Sequence, residues 1–240
     1  MPAAYAHAAA LCKPTRGAPF WAASPPHPHF KSLDLSSSSI LAYSACFRSR
    51  FPRGSTVFSI LHFHVTAAIA SYVFFLLCIL FNILIAMEKN IRPILAKSAC
   101  ESGLCFALET LITGSIWAHE AWGSAWVWEP RLTGMLLTTL FFLSWRLVIA
   151  ILGVEAISNR KMTASLIVMG LPAMAFTHMA ARLFGGIHPK DMSHLADSDH
   201  LLLPFFVLGG IQILLGVGWI ALRARRHQTG GCMGSPTATP

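Results

Sequence analysis

Five long apolar runs, at residues 58–87, 98–118, 132–153, 162–181 and 201–222, are separated by short polar connectors. A hydrocarbon core about 30 Å thick needs roughly 20 apolar residues per crossing helix, and each run meets that length. Inside lipid every backbone polar group must be satisfied within the segment, so each run predicts a helix rather than a strand. The expected fold is all-α: a polytopic membrane helix bundle with five visible transmembrane helices.

The connectors set an orientation, because Lys and Arg in short loops collect on the cytoplasmic side. Lys89, Arg92 and Lys97 lie between the first two runs, Arg160 and Lys161 between the third and fourth, and Arg223, Arg225 and Arg226 after the last. The alternate connectors, 119–131 and 182–200, hold Arg131, Arg182 and Lys190 against Glu120, Glu129, Asp191, Asp197 and Asp199. This pattern predicts a cytoplasmic C-terminus and places the 119–131 connector on the external side. Residues 1–56 form a basic segment with no apolar run of spanning length, read either as a disordered tail or as the place of a missing first span. Residues 227–240 are expected to be a disordered C-terminal tail.

Composition agrees with the membrane reading. The chain is 55% apolar and only 12% charged, about half the charged fraction of a soluble domain. Its net charge of +8 belongs to loops and tail, with Lys13, Arg16, Lys31, Arg48, Arg50 and Arg53 against Asp34 near the N-terminus, and does not describe a nucleic-acid surface. The six cysteines contain no C-x-x-C or C-x-x-C-H, which removes the signatures of zinc ribbons, thioredoxin-like redox sites and covalent c-type haem attachment. Cys100 and Cys105 read as packing residues.

The candidate chemistry clusters on the external side. In "AWGSAWVWEPRLT" Trp122, Trp126 and Trp128 follow Trp117 closely, more indole than an interfacial belt requires, and Trp122 and Trp126 would share a face if the connector were helical. Such a shelf suits a planar apolar ligand. Pro130 fits the first turn of the next helix, and Glu129 suits its positive N-terminus. His62, His64, His119, His188, His194 and His200 are external imidazoles, and neutral imidazole ligates haem iron and other metals. Deeper in the runs, Glu109 and Arg146 are expected to face inward or, for Arg146, to reach the cytoplasmic interface, and a Glu109–Arg146 pair is one hypothesis. His178 reads as a packed or hydrogen-bonded helix residue. No nucleophile with its base and no phosphate-binding glycine loop is present, so ATP chemistry would belong to a partner and enzymatic activity is not expected.

"LHFHVTAAI", "LITGSIWAHEAWGSAWVWEPRLT" and "THMAARLFGGIHP" resemble the haem-handling CcmC/CcsA family of cytochrome c biogenesis, within it the haem exporter protein C branch, over residues 57–222. The family's W-G-x-x-W-x-W-D reads Trp122-Gly123-x-x-Trp126-x-Trp128-Glu129 here. The resemblance implies a haem-handling domain at 57–226 in a bacterial inner membrane. Within it, Trp122, Trp126, Trp128 and Glu129 belong to the haem-holding segment, and His64 and His188 are the two axial ligands. It also implies non-covalent, transiently bound b-type haem, a periplasmic haem chaperone that receives it, and ATP-binding transporter subunits as partners. Arg131 or Arg182 is suited to a haem propionate. The sequence departs from the family at Glu129, usually Asp, at Thr66, where Pro is common, and at Arg182, Leu183 and Phe184, where aromatic surface is lost; the branch usually has six spans. A synthetase-like role in haem attachment is a variant. The contrasting reading is a small-molecule transporter or structural membrane subunit with an aromatic belt and no cofactor.

Overall fold

The computed structural model describes the backbone of residues 56–184 and 199–232, with side chains except at 56–59, 120–122, 181, 182, 199–201 and 229–232. Among the described residues every regular element is helical. The order is α1 (Thr56–Ala86), α2 (Pro93–Trp122), α3 (Pro130–Leu152), a 3-10 turn (Val154–Ser158), α4 (Arg160–Ser165), a π-turn (Leu166–Gly170), α5 (Leu171–Leu183) and α6 (Asp199–Cys232). The chain divides into two compact units, Met1–Leu61 with Gly114–Trp126, and His62–Thr113 with Val127–Pro240. The expected tail at 1–56 lies outside the described residues apart from its last residue, and the C-terminal tail does so from 233 onward.

Each apolar run has become a helix, with the fourth assembled from α4, the π-turn and α5. Pro172, which has no N–H to give the preceding turn, follows directly on the wider π-turn, where Leu171 N donates to Leu166 O. Among the described residues four segments, Ile60–Ala86, Pro130–Leu152, Arg160–Ala180 and Leu202–Gln228, are long and apolar enough to cross a membrane. The second expected span, 98–118, is helical but is not among them, because α2 carries Lys97, Glu101 and Glu109. Glu101 and Glu109 have partners within the larger unit, and Ala96, Ala99, Cys100, Leu104, Phe106 and Ala107 of α2 are buried. A helix shielded this way can keep polar groups that a lipid-facing helix cannot.

Turn chemistry closes the helices where the polar connectors begin. Lys89 N donates to Leu84 O at 3.0 Å around Glu88 in the left-handed region (φ 58), a Schellman-type end to α1. Gly153, with φ 89, ends α3 and donates its N–H to Ile149 O. In each case the chain reverses within a few residues, which lets the next helix pack back antiparallel.

Helices surrounded by lipid gain nothing from burying leucine against leucine, so they associate through close backbone approach and hydrogen bonds. In the larger unit Gly103 faces the ring of Phe75, Gly216 the ring of Phe74, Gly134 the backbone of Thr177 and Gly170 the ring of Phe141. Phe75 and Phe142 stack with centroids 3.9 Å apart. Hydroxyls stitch the same contacts: Ser102 donates to Gly216 O at 3.3 Å, Thr163 donates to Asn82 O at 3.2 Å, and the Thr138 and Thr177 hydroxyls lie 3.1 Å apart. On α6 the buried residues include Gln212 and Gly216, whereas Leu203, Phe206, Leu214 and Leu215 are exposed. That distribution, polar or small inward and leucine outward, is the one lipid as solvent selects.

A Cβ at Gly216 would run into the Phe74 ring, whereas Gly218 faces open space. Gly216→Val is therefore expected to destabilise the detergent-solubilised protein by about 1–3 kcal/mol, as overpacking does, and Gly218→Val to leave its thermal midpoint nearly unchanged. Equal melting curves for the two variants would refute the close α1–α6 contact.

Candidate functional site

The candidate residues fall in both units, and each unit is described separately. In the larger unit, His64 on α1 is buried, with 8% of its surface exposed. Its Nδ1 lies 2.9 Å from the carbonyl oxygen of Thr110 on α2. A carbonyl only accepts, so Nδ1 carries the proton and donates; in neutral imidazole the lone pair is then on Nε2. This is the arrangement found behind metal-ligating histidines, where a bond to one ring nitrogen fixes the tautomer and orientation of the other. Two residues on, Thr66 donates its hydroxyl to His62 O at 2.8 Å, so the position where the resembling family favours proline is here tied to its own helix. Gly209 of α6 lies against the Thr66 side chain, which brings a third helix to this part of α1.

Glu129 and Arg131 open α3 in the same unit. Glu129 is the N-cap, with extended backbone (φ −90, ψ 155), and its carboxylate accepts from Leu132 N at 3.1 Å while Pro130 occupies the first turn. The Glu129 carbonyl also accepts from Thr133 N at 3.0 Å. Both sequence expectations, a proline in the first turn and an acid at the positive helix end, hold, and the acid is 3% exposed. Arg131, half-buried, sits in the first turn beside it. Trp128, one residue before the cap, is 75% exposed and presents most of its indole outward.

In the smaller unit α2 ends at Trp122, where Gly123 (φ 78) donates its N–H to His119 O at 2.9 Å. Only glycine enters that conformation without strain, which gives the Trp-Gly pair a local structural reason. Residues 123–129 are not helical, so the shared helical face of Trp122 and Trp126 does not form. Ser124 donates its hydroxyl to Trp126 O at 2.9 Å and shapes the connector there. Trp126 is half-buried and Trp117 is packed, with 4% exposure. His119 is exposed.

His188 and His194 lie outside the described residues, and the side chains of Trp122, Arg182 and His200 are not described. Among the described residues no three His, Cys, Asp or Glu side chains converge to hold a metal ion.

The deep charges are arranged differently from the sequence expectation. Glu109 accepts from Gln212 Nε2 at 2.9 Å and does not pair with Arg146. Arg146 instead binds Glu101, through Nη2 at 2.7 Å and Nε at 3.0 Å. Arg223 shares the same carboxylate, at 3.1 Å, and Trp219 Nε1 donates to it at 3.1 Å. The reason is vertical register. Glu101 lies eight residues into α2 and Arg146 six residues from the end of antiparallel α3, so both sit roughly 10 Å from the same end of the bundle. His178, expected to be packed, is exposed on α5. Thr110, Glu101, Gln212 and Trp219 escaped the sequence reading. The matching distances of Glu101 and Arg146 from their helix ends were the signal for one of them, and a backbone carbonyl such as that of Thr110 leaves none.

Residues 22–227 match the family model for Heme exporter protein C, CcmC. The chain belongs to that family. It is 28% identical over 168 residues to a cytochrome c biosynthesis CcmC-like mitochondrial protein of Marchantia polymorpha, covering 67% of this chain and 68% of that protein. It is 33% identical over 96 residues to Heme exporter protein C of Paracoccus denitrificans, 40% of this chain and 39% of that one. With Heme exporter protein C of Rhodobacter capsulatus it shares 29% over 154 residues, 62% and 61% of the two chains. The matches thus span between about two fifths and two thirds of the length of these curated relatives. No solved structure matches.

Capping makes a prediction that separates structure from ligand contact. Glu129→Ala removes the N-cap of α3 and is expected to cost about 1–2 kcal/mol of stability, whereas Glu129→Asp keeps a side-chain acceptor and stays close to wild type. Thermal unfolding of the detergent-solubilised variants measures both; an Ala variant as stable as the Asp variant would rule out the capping role.

Proposed function

We propose that this membrane protein serves cytochrome c maturation by binding haem at one face of the bundle and passing it to a haem chaperone, without catalysing a reaction itself. The observation that carries the reading is His64: a buried imidazole whose Nδ1–H is engaged by Thr110 O, a tautomer that supports Nε2 as the ligating nitrogen. Membership of the Heme exporter protein C family and the names of its relatives support haem as the cargo.

His188 is proposed as the second axial ligand, by its place in the "GGIHP" element. Trp122, Trp126 and Trp128 supply flat apolar surface for the ring, Trp128 being more exposed than Trp126. Arg131 offers a guanidinium for a propionate at the N-terminus of α3, where the helix itself favours an anion. Glu129 contributes at second hand by holding the start of α3 and hence the placement of its neighbours on either side. Two neutral imidazoles would hold haem without a covalent bond, in keeping with the absence of C-x-x-C-H, and this makes release to a partner a matter of ligand exchange. The expected partners are the receiving chaperone and ATP-binding transporter subunits, with the tryptophan segment on the external, periplasmic side.

The test is the visible spectrum of protein purified in detergent from haem-replete cells. A Soret band is expected in the wild type, reduced by most of its amplitude in His64→Ala and His188→Ala and retained in His194→Ala. A folded, monodisperse, colourless preparation would favour a transporter or structural subunit and defeat the haem reading.

A further inference from the structure

At the end of the bundle remote from His64, three cations share one acid. Glu101 Oε1 accepts from Arg146 Nη2 at 2.7 Å, Arg146 Nε at 3.0 Å and Arg223 Nη2 at 3.1 Å, while Oε2 accepts from Trp219 Nε1 at 3.1 Å and Arg223 Nε at 3.3 Å. Lys97, one turn before Glu101 on α2, lies within electrostatic range of Glu101, Arg146 and Arg223. The cluster therefore carries two positive charges more than its carboxylate balances. The carboxylate has no further capacity, having taken six hydrogen bonds from five nitrogens, yet Nη1 of each arginine is not used by it.

Three features fit this surplus to a lipid phosphate. The cluster lies on the rim of the bundle rather than inside it, since Arg146 and Arg223 keep 20% and 33% of their side-chain surface exposed. Their sequence neighbours Leu147 and Leu222 are exposed, so the guanidinium groups sit beside surface suited to acyl chains. Trp219 is exposed too, with the Arg223 guanidinium 5.3 Å from its ring centroid, an amphipathic pair of the kind that occupies the headgroup level. A cation surplus near hydrocarbon is costly unless an anion meets it. The other described acids of this end, Glu88 and Glu155, do not serve: Glu88 is engaged by Arg160 at 3.4 Å, and Glu155 lies in the exposed 3-10 turn after α3. Basic pockets between helices on the lysine- and arginine-rich side of a membrane are suited to acidic headgroups.

The geometry points to Lys97, Arg146 and Arg223 as a binding site for the phosphate of an anionic phospholipid, with Trp219 at its edge and Glu101 orienting the two guanidinium groups. The site is independent of the haem reading and lies on different residues. Glu101 works here as a positioning residue: it fixes the Nε and Nη2 edges of the arginines and so leaves their remaining N–H groups for the headgroup.

Native mass spectrometry of the full chain in neutral detergent, titrated with phosphatidylglycerol or phosphatidylcholine, reads the bound lipid directly. Phosphatidylglycerol is expected to be retained in preference, and Lys97→Gln to weaken its retention about fivefold, as loss of one cation near the headgroup should. Arg223→Gln should weaken it at least as much; because it also strips bonds from Glu101, the Lys97 variant decides. Arg225→Gln, exposed and outside the cluster, should leave retention unchanged. Equal retention of the two lipids, unaltered retention in Lys97→Gln, or an equal loss in Arg225→Gln would overturn the site. Displacement of phosphatidylglycerol by millimolar inorganic phosphate would overturn the lipid as its occupant and assign it to a soluble phosphate compound.

Discussion

Glu101 is the point on which three helices depend. An ionised carboxylate surrounded by lipid is tolerable only when partners replace its water, and here two guanidinium groups and an indole N–H, brought by α3 and α6, do so. The bond works in both directions. Arg146 and Arg223 meet the same carboxylate, so the contact that satisfies Glu101 also fixes how far α3 and α6 may slide along α2. Arginine suits this better than lysine, because its planar fork engages one carboxylate through two N–H groups at once and holds a direction as well as a distance.

That register is then propagated by small residues. With α6 set by Arg223, Gly216 falls against Phe74 of α1 and its carbonyl falls within reach of Ser102 on α2. With α3 set by Arg146, Phe142 stacks on Phe75, and the Thr138 hydroxyl meets that of Thr177 on α5. A second polar contact, Glu109 with Gln212, repeats the α2–α6 link about two turns further along. Beyond it on α2, Thr110 offers its carbonyl to His64. The proposed ligand is thus positioned by the same helix that carries the charge hub, and a shift of α2 by one turn would move the carbonyl away from the imidazole.

The helices were legible because the requirement for intrasegment hydrogen bonding turns any long apolar run into a helix, and the Pro130 and Glu129 ends were legible because caps are local chemistry. Which charges meet was not. Periodicity places Glu101, Glu109 and Arg146 on their own helices, but pairing depends on the height of one helix against another, and that is decided by packing at glycines and by the other charges present. Glu109 and Arg146 looked like partners only because they were the deepest charges; Glu101, nearer its helix end, matched Arg146 in height. His178 shows a related limit: an imidazole in an apolar run suggests an inward face, whereas α5 turns that face outward and buries Thr177 next to it. At His64 the expectation came from the family resemblance alone, since nothing in spacing separates it from His62.

The charges around the tryptophan connector do not all carry equal weight for the haem reading. Glu129 is accounted for by its helix: an acid at the N-cap, accepting from Leu132 N and facing the positive end of α3, would be retained there whether or not a ligand ever bound. Its likeness to the family acid therefore speaks first for the geometry of the connector. Arg131 is the opposite case. A cation in the first turn works against the helix dipole, so the dipole itself gives no reason for it. An anion brought to that turn would meet the guanidinium, and a carboxylate on the edge of a flat apolar ring resting near Trp128 is what the proposed haem would bring there. The charge that the proposed haem would use at this end of α3 is thus the one the helix dipole disfavours, not the one it prefers.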